Sequence, residues 1–243
     1  MFNTITKIAR ISLFGFEKLL FELRCPVCRE IQRSWLDDPL CRDCRERILA
    51  WPTEKGCRLC GNLIAQGQEL CAACAISPPP VRGFLAFGGY DEEIRDLIKA
   101  YKYGQIRRLA PFMAELMGFR YRLHADRIQP DAVVIVPRYK PSLSKFYPMR
   151  EIAAEFCRMN RLRFLKNALI KSRHTLPQAA LTGKARTRNL KGAFRVNPHV
   201  RLDGLNLLLL DDVSTTGSTI RNVADALHGS GADVWALVIA KAR

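Results

Sequence analysis

Residues 205–221, Leu-Asn-Leu-Leu-Leu-Leu-Asp-Asp-Val-Ser-Thr-Thr-Gly-Ser-Thr-Ile-Arg, bring two carboxylates, a run of hydroxyls and a glycine into one short stretch. A buried strand that ends in Asp211 and Asp212 and turns through small residues into a helix suits a phosphorylated sugar. Amides at the helix start and the hydroxyls of Thr215, Thr216, Ser218 and Thr219 can surround a phosphate. Gly217 lets the backbone approach closely. Asp211 and Asp212 can accept hydrogen bonds from vicinal ribose hydroxyls at the carboxyl end of the strand, where open α/β sheets bind ligands. A helix cap needs one Ser, Thr or Asp, not this whole string. The expected phosphate-binding set is therefore Asp211, Asp212, Val213, Ser214, Thr215, Thr216, Gly217, Ser218 and Thr219.

A second chemistry is written in the cysteines. Eight of nine form four Cys-x-x-Cys pairs, Cys25/Cys28, Cys41/Cys44, Cys57/Cys60 and Cys71/Cys74, and Cys157 stands alone. Two intervening residues let both sulfurs reach one ion from a tight turn, and a second pair completes a tetrahedral thiolate cage. With no secretion signal the thiols are expected to stay reduced, which favours metal over disulfides. Two structural zinc ions are the expectation, an iron–sulfur cluster being the competitor that spacing alone leaves open. Eight thiolates make two closed cages with no open position for catalysis. Consecutive pairing is favoured over a cross-brace, because each half then forms a self-contained knuckle.

Charge supplies the third signal. The chain carries a formal +16, and residues 138–201 hold 16 Lys/Arg against only Glu151 and Glu155, so that +14 falls in one stretch. Such a one-signed stretch should face a polyanion or phosphates rather than serve as an ordinary mixed surface. Lys145, Arg150, Lys184, Arg186, Arg188 and Lys191 are the candidates for contacting nucleic acid, with single-stranded DNA the expected partner. Phe146, Tyr147, Phe164 and Phe194 are interleaved with them and could stack bases, although each such aromatic is more often core.

The elements that must position these groups read as α/β. Short apolar runs at 84–87, 132–136, 205–210 and 234–240 alternate with helical patterns at about 91–103, after Pro111 and at 219–228, which predicts a parallel sheet with helices on its faces. Ser77-Pro-Pro-Pro80 is stiff and marks a boundary. The expected division is an amphipathic helix over 1–24, a zinc module over 25–76, a Pro-rich linker over 77–83 and a main domain over 84–243. In the first segment Ile5, Ile8, Ser12, Phe16, Leu19 and Leu23 recur at helical intervals, and Lys7, Arg10, Glu17, Lys18 and Glu22 argue against a signal peptide. With 48% hydrophobic and 26% charged residues the chain can build a core, and no run of about 18 uncharged apolar residues occurs. A cytoplasmic location is expected.

The 205–221 segment closely resembles the 5-phosphoribosyl-1-pyrophosphate (PRPP) motif of type I phosphoribosyltransferases, which implies that fold for the main domain. The four cysteine pairs, the Pro-rich joint, Tyr90, Ile94-Arg-Asp-Leu-Ile98, Lys102-Tyr103, Thr175-Leu-Pro-Gln178, Arg186-x-x-Asn189 and Gly192-Ala-Phe194 together resemble the ComF family over about residues 25–243. The resemblance implies a zinc-finger module before a phosphoribosyltransferase-like domain and a competence role in natural transformation, handling incoming single-stranded DNA. Implied partners are a helicase and a membrane DNA channel, and the implied location extends to the inner face of the membrane. The turn after the second strand holds pyrophosphate in type I enzymes, and Arg138 and Lys140 stand ready for it here. Where the family shows Arg-Gly-(Phe/Tyr)-Asn-Gln, this chain has Lys145-Phe-Tyr-Pro-Met149, which weighs against catalysis. The alternative function is transfer of the phosphoribosyl group from PRPP to an acceptor, with magnesium bridging the phosphates. A third is an interaction scaffold built on the zinc module.

Overall fold

A computed structural model describes residues 24–32, 38–50, 56–138, 146–172 and 192–242. The helix expected over 1–24 falls, apart from Arg24, outside them, as do Lys140, Lys145, Lys184, Arg186, Arg188 and Lys191. In chain order the elements are α1 (Arg42–Leu49), α2 (Ala72–Ile76), β1 (Gly83–Gly89), α3 (Glu92–Lys102), a single 3-10 turn at Arg107–Leu109, α4 (Ala110–Arg122), α5 (Ala125–Ile128), β2 (Ala132–Ile135), α6 (Pro148–Asn160), β3 (Leu169–Lys171), β4 (Phe194–Val196), β5 (Asn206–Ser214), α7 (Ser218–His228) and β6 (Asp233–Lys241).

The main sheet is four-stranded and parallel, in the order β1-β6-β5-β2. Its architecture is that of a type I phosphoribosyltransferase-like α/β domain. Leu207, Leu208, Leu209 and Leu210 are fully buried because β5 is central and covered on both faces, so a continuous apolar run replaces the usual alternation. On one face pack α3, α4 and α6, through Ile94, Leu97, Met113, Leu116, Ile152 and Phe156. On the other pack α7 and the antiparallel pair β3–β4, through Val223, Leu227, Leu169 and Phe194.

Helix α3 shows how local sequence meets this frame. Ile94, Leu97, Ile98 and Tyr101 fall at helical intervals on its buried stripe, with Glu92 and Glu93 in the first turn and Lys99 and Lys102 in the last, as the helix dipole favours.

Two sequence expectations change, and the segment that departs from the family pattern gains a structural role. Strand β5 does not stop before the carboxylates but runs through Asp211 and Asp212 to Ser214, because β6 is equally long and supplies ladder partners as far as Ser214↔Lys241. Of the segment 145–149, the described residues Phe146 and Tyr147 lead into a 13-residue helix, α6, with Pro148 at its start, where a missing N–H costs nothing. Phe146 and Phe194 are buried, so they are core and not platforms for bases, and Phe164 is half-buried in a bridge to Val133. Cys157 is buried too, and burial pushes its thiol up to about 12. Among the described residues no helix is long and apolar enough to cross a membrane.

Candidate functional site

The cysteine knuckles repeat one construction. A short antiparallel bridge, Arg24↔Ile31 or Gly56↔Leu63, brackets a tight turn that carries the first pair. The second pair opens a helix: Cys41 precedes α1, Cys71 precedes α2, and Cys44 and Cys74 lie inside the first turn. The sulfurs of Cys25, Cys28, Cys41 and Cys44 all lie within 4.8 Å of one another, and so do those of Cys57, Cys60, Cys71 and Cys74. Pairing is therefore consecutive. Cys28 and Cys41 are 3.7 Å apart at sulfur, as are Cys60 and Cys71. Zinc–sulfur bonds of about 2.3 Å place tetrahedral sulfurs about 3.8 Å apart, so both cages fit two structural zinc ions. Burial alone would raise Cys25 and Cys57, but nearby backbone amides outweigh it and bring both thiols down to about 7, towards the thiolate that metal requires.

The cages dock on opposite faces of the sheet. The first joins α3 and α4 through Arg45 to Glu115 and Arg47 to Glu93, the latter 2.6 Å apart. The second lies over the start of α7, where a Cβ added to Gly217 would sit 3.9 Å from Cys60 Cβ.

Between the end of β5 and α7, Gly217 takes a φ of 76°, a left-handed conformation suited to glycine, and it makes the turn by which the chain enters the helix. Thr216 Oγ1 and Ser218 Oγ are 2.6 Å apart, and the Ser218 amide donates to Thr216 Oγ1. Thr215 and Thr216 are exposed, and Thr219 is half-buried in the first turn. The Ser214 hydroxyl is buried with no hydrogen-bond partner, a polar group available for an acceptor or donor that the fold does not supply. Val213 packs against the core on the sheet's helix-rich face.

The two aspartates differ. Asp212 is ion-paired with Lys102 of α3, Nζ to Oδ2 2.5 Å, and its Oδ1 accepts from the Val213 amide at 2.7 Å. Asp211 Oδ1 accepts from the Asp212 amide at 2.9 Å. Burial of its carboxyl, reinforced by the Asp212 charge and opposed by Lys102, raises Asp211 to about 8. Asp211 is thus held largely protonated at neutral pH beside the ion-paired Asp212. Between roughly pH 4 and 8 the folded state binds a proton at Asp211 that the unfolded chain does not, so this group's contribution to stability falls as pH rises through that window. Asp211→Asn should flatten the pH dependence of the urea midpoint between pH 4 and 8. An unchanged difference curve would remove the raised pKa.

Strand β2 ends beside this pair, the Val136 amide donating to Leu210 O at 3.1 Å. Two residues later the Arg138 amide donates to the Tyr147 hydroxyl at 3.0 Å, and that hydroxyl donates to Val136 O at 3.2 Å. The Arg138 guanidinium reaches Phe146 O at 2.7 Å and lies 4.8 Å from the Tyr147 ring centre. Phe146 in turn packs edge-on against Tyr101, 5.3 Å between centres. The segment in which this chain departs from the family pattern therefore anchors Arg138 and starts α6.

Arg138 lines a cleft of about 760 Å³ bounded by the end of β2, the start of α6 and strand β3. Arg150 lies in the same cleft, with Lys166 and Lys171, two cations that the sequence did not single out. The lining carboxylate, Glu151, is paired with Arg107. One residue from the expected phosphate set and one from the expected nucleic-acid set thus meet in one basic cleft. Lys102 was named only among the residues of the family resemblance and given no role, because its place in the last turn of an amphipathic helix gave no hint of its partner.

A double zinc ribbon family model matches residues 16–75. The chain is 29% identical over 190 residues to the DNA utilization protein YhgH of Escherichia coli strain K12, covering 74% of this chain and 82% of that protein. The same-named protein of Salmonella typhimurium is 28% identical over 190 residues, with the same coverage. Competence protein F of Haemophilus influenzae is 27% identical over 196 residues, covering 74% of this chain and 83% of the relative.

Proposed function

We propose that the chain is a ComF-family protein that acts in competence and DNA utilization by binding single-stranded DNA, and that its 211–219 loop takes a phosphorylated ribose. The observation that carries the first part is the cleft in which Arg138, Arg150, Lys166 and Lys171 converge with their lining carboxylate already paired. Cations placed this way track a phosphate backbone by releasing counterions, without reading bases. A strand crossing the cleft also passes the end of β5, which would put its nucleotides beside the ribose-phosphate loop.

Arg150→Ala combined with Lys166→Ala should weaken binding of unrelated oligonucleotides about equally. It should also flatten the plot of log affinity against log salt by about 0.7 for each phosphate that is no longer neutralised. Fluorescence anisotropy across a salt series measures both. A double variant with the wild-type salt slope would place the strand elsewhere.

A second reading is favoured by the paired aspartates and the unpartnered Ser214 hydroxyl. In it, an acceptor nucleophile attacks C1 of PRPP, the bond from C1 to the pyrophosphate oxygen breaks, and pyrophosphate leaves with the electron pair. Magnesium would neutralise phosphate charge, while Asp211 and Asp212 would orient the ribose hydroxyls and Arg138 and Lys140 would receive the leaving group. Exchange of labelled pyrophosphate into PRPP distinguishes this reading, since strand binding alone produces none.

A further inference from the structure

The second cage and the 211–219 loop share more than proximity. Lys241, the last residue of β6, donates from Nζ to the Thr215 carbonyl, and to Ala242 O at 2.8 Å. Its stem lies along the turn that follows Cys60: a Cβ added to Gly61 would sit 3.4 Å from Lys241 Cδ. From the other side Gly217 faces Cys60 Cβ with room for little more than a Cβ. Arg221 of α7 closes the arrangement by donating to Ser77 O at 2.5 Å and Pro78 O at 3.3 Å, immediately after α2. Four thiolates around one divalent ion leave a net charge of about −2, and Lys241 is the cation whose electrostatic neighbours are Cys60 and Cys71. The first cage makes no such connection among the described residues. Its ties run to Glu93 and Glu115 on the opposite face of the sheet.

We infer that Lys241 is a positioning residue linking the second cage to the loop, so that binding of a phosphorylated ribose depends on metal in the second cage and not in the first. The inference rests on the loop reading proposed above. With metal bound, the Cys57–Gly61 turn is rigid, and the lysine stem lying on it directs the ammonium at Thr215 O. That contact fixes the direction of the peptide from which the hydroxyls and amides of the loop fan out. Without metal the turn loses its only tetrahedral constraint, the lysine loses its countercharge, and the loop must be ordered by the ligand itself. Ordering a loop at the moment of binding lowers affinity, because its conformational entropy is then lost on association.

The test uses the full chain and ribose 5-phosphate as probe, by isothermal titration. Cys71→Ala and Cys41→Ala each remove one ligand from one cage, and metal analysis should return one zinc per chain for either. Cys71→Ala should bind ribose 5-phosphate at least tenfold more weakly than wild type, and Cys41→Ala within about twofold of it. Lys241→Met keeps both cages and most of the stem. It should retain two zinc ions and bind tenfold more weakly as well, with Lys241→Arg restoring most of the affinity. A purely structural lysine would not give that pattern, since an arginine rescue at constant metal content reads the hydrogen bond to Thr215 rather than the stability of β6. Equal affinity in Cys71→Ala and Cys41→Ala, or wild-type affinity in Lys241→Met, overturns the coupling while leaving the loop reading standing. Wild-type protein with both cages filled that does not bind the probe overturns the loop reading and this inference with it.

Discussion

Removing metal from both cages with a strong chelator is expected to unfold residues 24–32, 38–50 and 56–76 while the four-stranded sheet and its helices keep most of their far-ultraviolet signal. The knuckles are too small to stand alone: α1 has eight residues and α2 five, below the length at which isolated helices persist in water. Their buried residues are few: Cys25, Cys44, Cys57 and Cys74, with Pro26, Pro39, Leu40, Ile48 and Leu59. Structural zinc contributes on the order of 10 kcal/mol in domains of this size, far more than these few side chains supply. The main domain has separate resources, a buried sheet with helices on both faces. Proteolysis after chelation should cut in the cysteine region first. Metal analysis returning iron, or no metal, would sink this expectation, as would a chelated protein with an unchanged cleavage pattern.

Replacing both Asp211 and Asp212 by alanine should abolish measurable binding of ribose 5-phosphate. A hydrogen bond between a ribose hydroxyl and the ion-paired Asp212 contributes about 1.5–3 kcal/mol, and one to the largely protonated Asp211 about 0.5–1.5 kcal/mol, so the pair accounts for roughly one and a half to three orders of magnitude in affinity. The structure adds that the single variants have opposite effects on stability. Asp212→Asn removes the countercharge of Lys102, whose side chain is only 27% exposed, and should destabilise by about 1 kcal/mol. Asp211→Asn removes a buried carboxyl that above pH 8 must ionise beside the Asp212 charge, and should be neutral or stabilising there. Replacing the probe by 2-deoxyribose 5-phosphate removes one hydroxyl and should cost roughly tenfold to a hundredfold with wild type. Equal affinity of wild type for the two sugars would show that the carboxylates do not hold the ribose. The same comparison separates the loop from the basic cleft, because DNA lacks the 2′-hydroxyl and a backbone-tracking site is indifferent to it.

Much of this arrangement could be read before folding because it is carried by local pattern. Cys-x-x-Cys pairs declare cages, the Leu207–Leu210 run has the length and bulk of a central strand, and α3 announces itself by its apolar stripe. What escaped depends on partners distant in sequence. Strand β5 continues past Leu210 only because β6 offers a ladder that far, and nothing within residues 205–214 encodes β6's length. The β3–β4 pair brings together two three-residue strands whose partners, Leu169↔Val196 to Lys171↔Phe194, are separated by more than twenty residues, too short and too far apart to show as a pattern. Lys102, Lys166, Lys171 and Lys241 were ordinary lysines until the fold gave each a neighbour: a carboxylate, a shared cleft or a carbonyl. Residues 146–149 showed in the sequence only as a departure from a family motif, which said nothing of their structural roles: Phe146 is core, Tyr147 braces Arg138 and Pro148 opens a helix.

Strand β1 is outermost in the sheet, and its sequence, Gly-Phe-Leu-Ala-Phe-Gly-Gly, carries no charge. An uncharged apolar strand with a bare edge invites pairing with its copies in other molecules. Here the second knuckle lies over that edge and begins to occupy it, the Phe84 amide donating to the Arg58 carbonyl at 2.8 Å. Metal in this cage therefore also guards solubility. Protein stripped of zinc uncovers a template for intermolecular β-pairing, so metal-starved preparations should aggregate with a lag that shortens at higher protein concentration, and a charged residue at Ala86 should lengthen it.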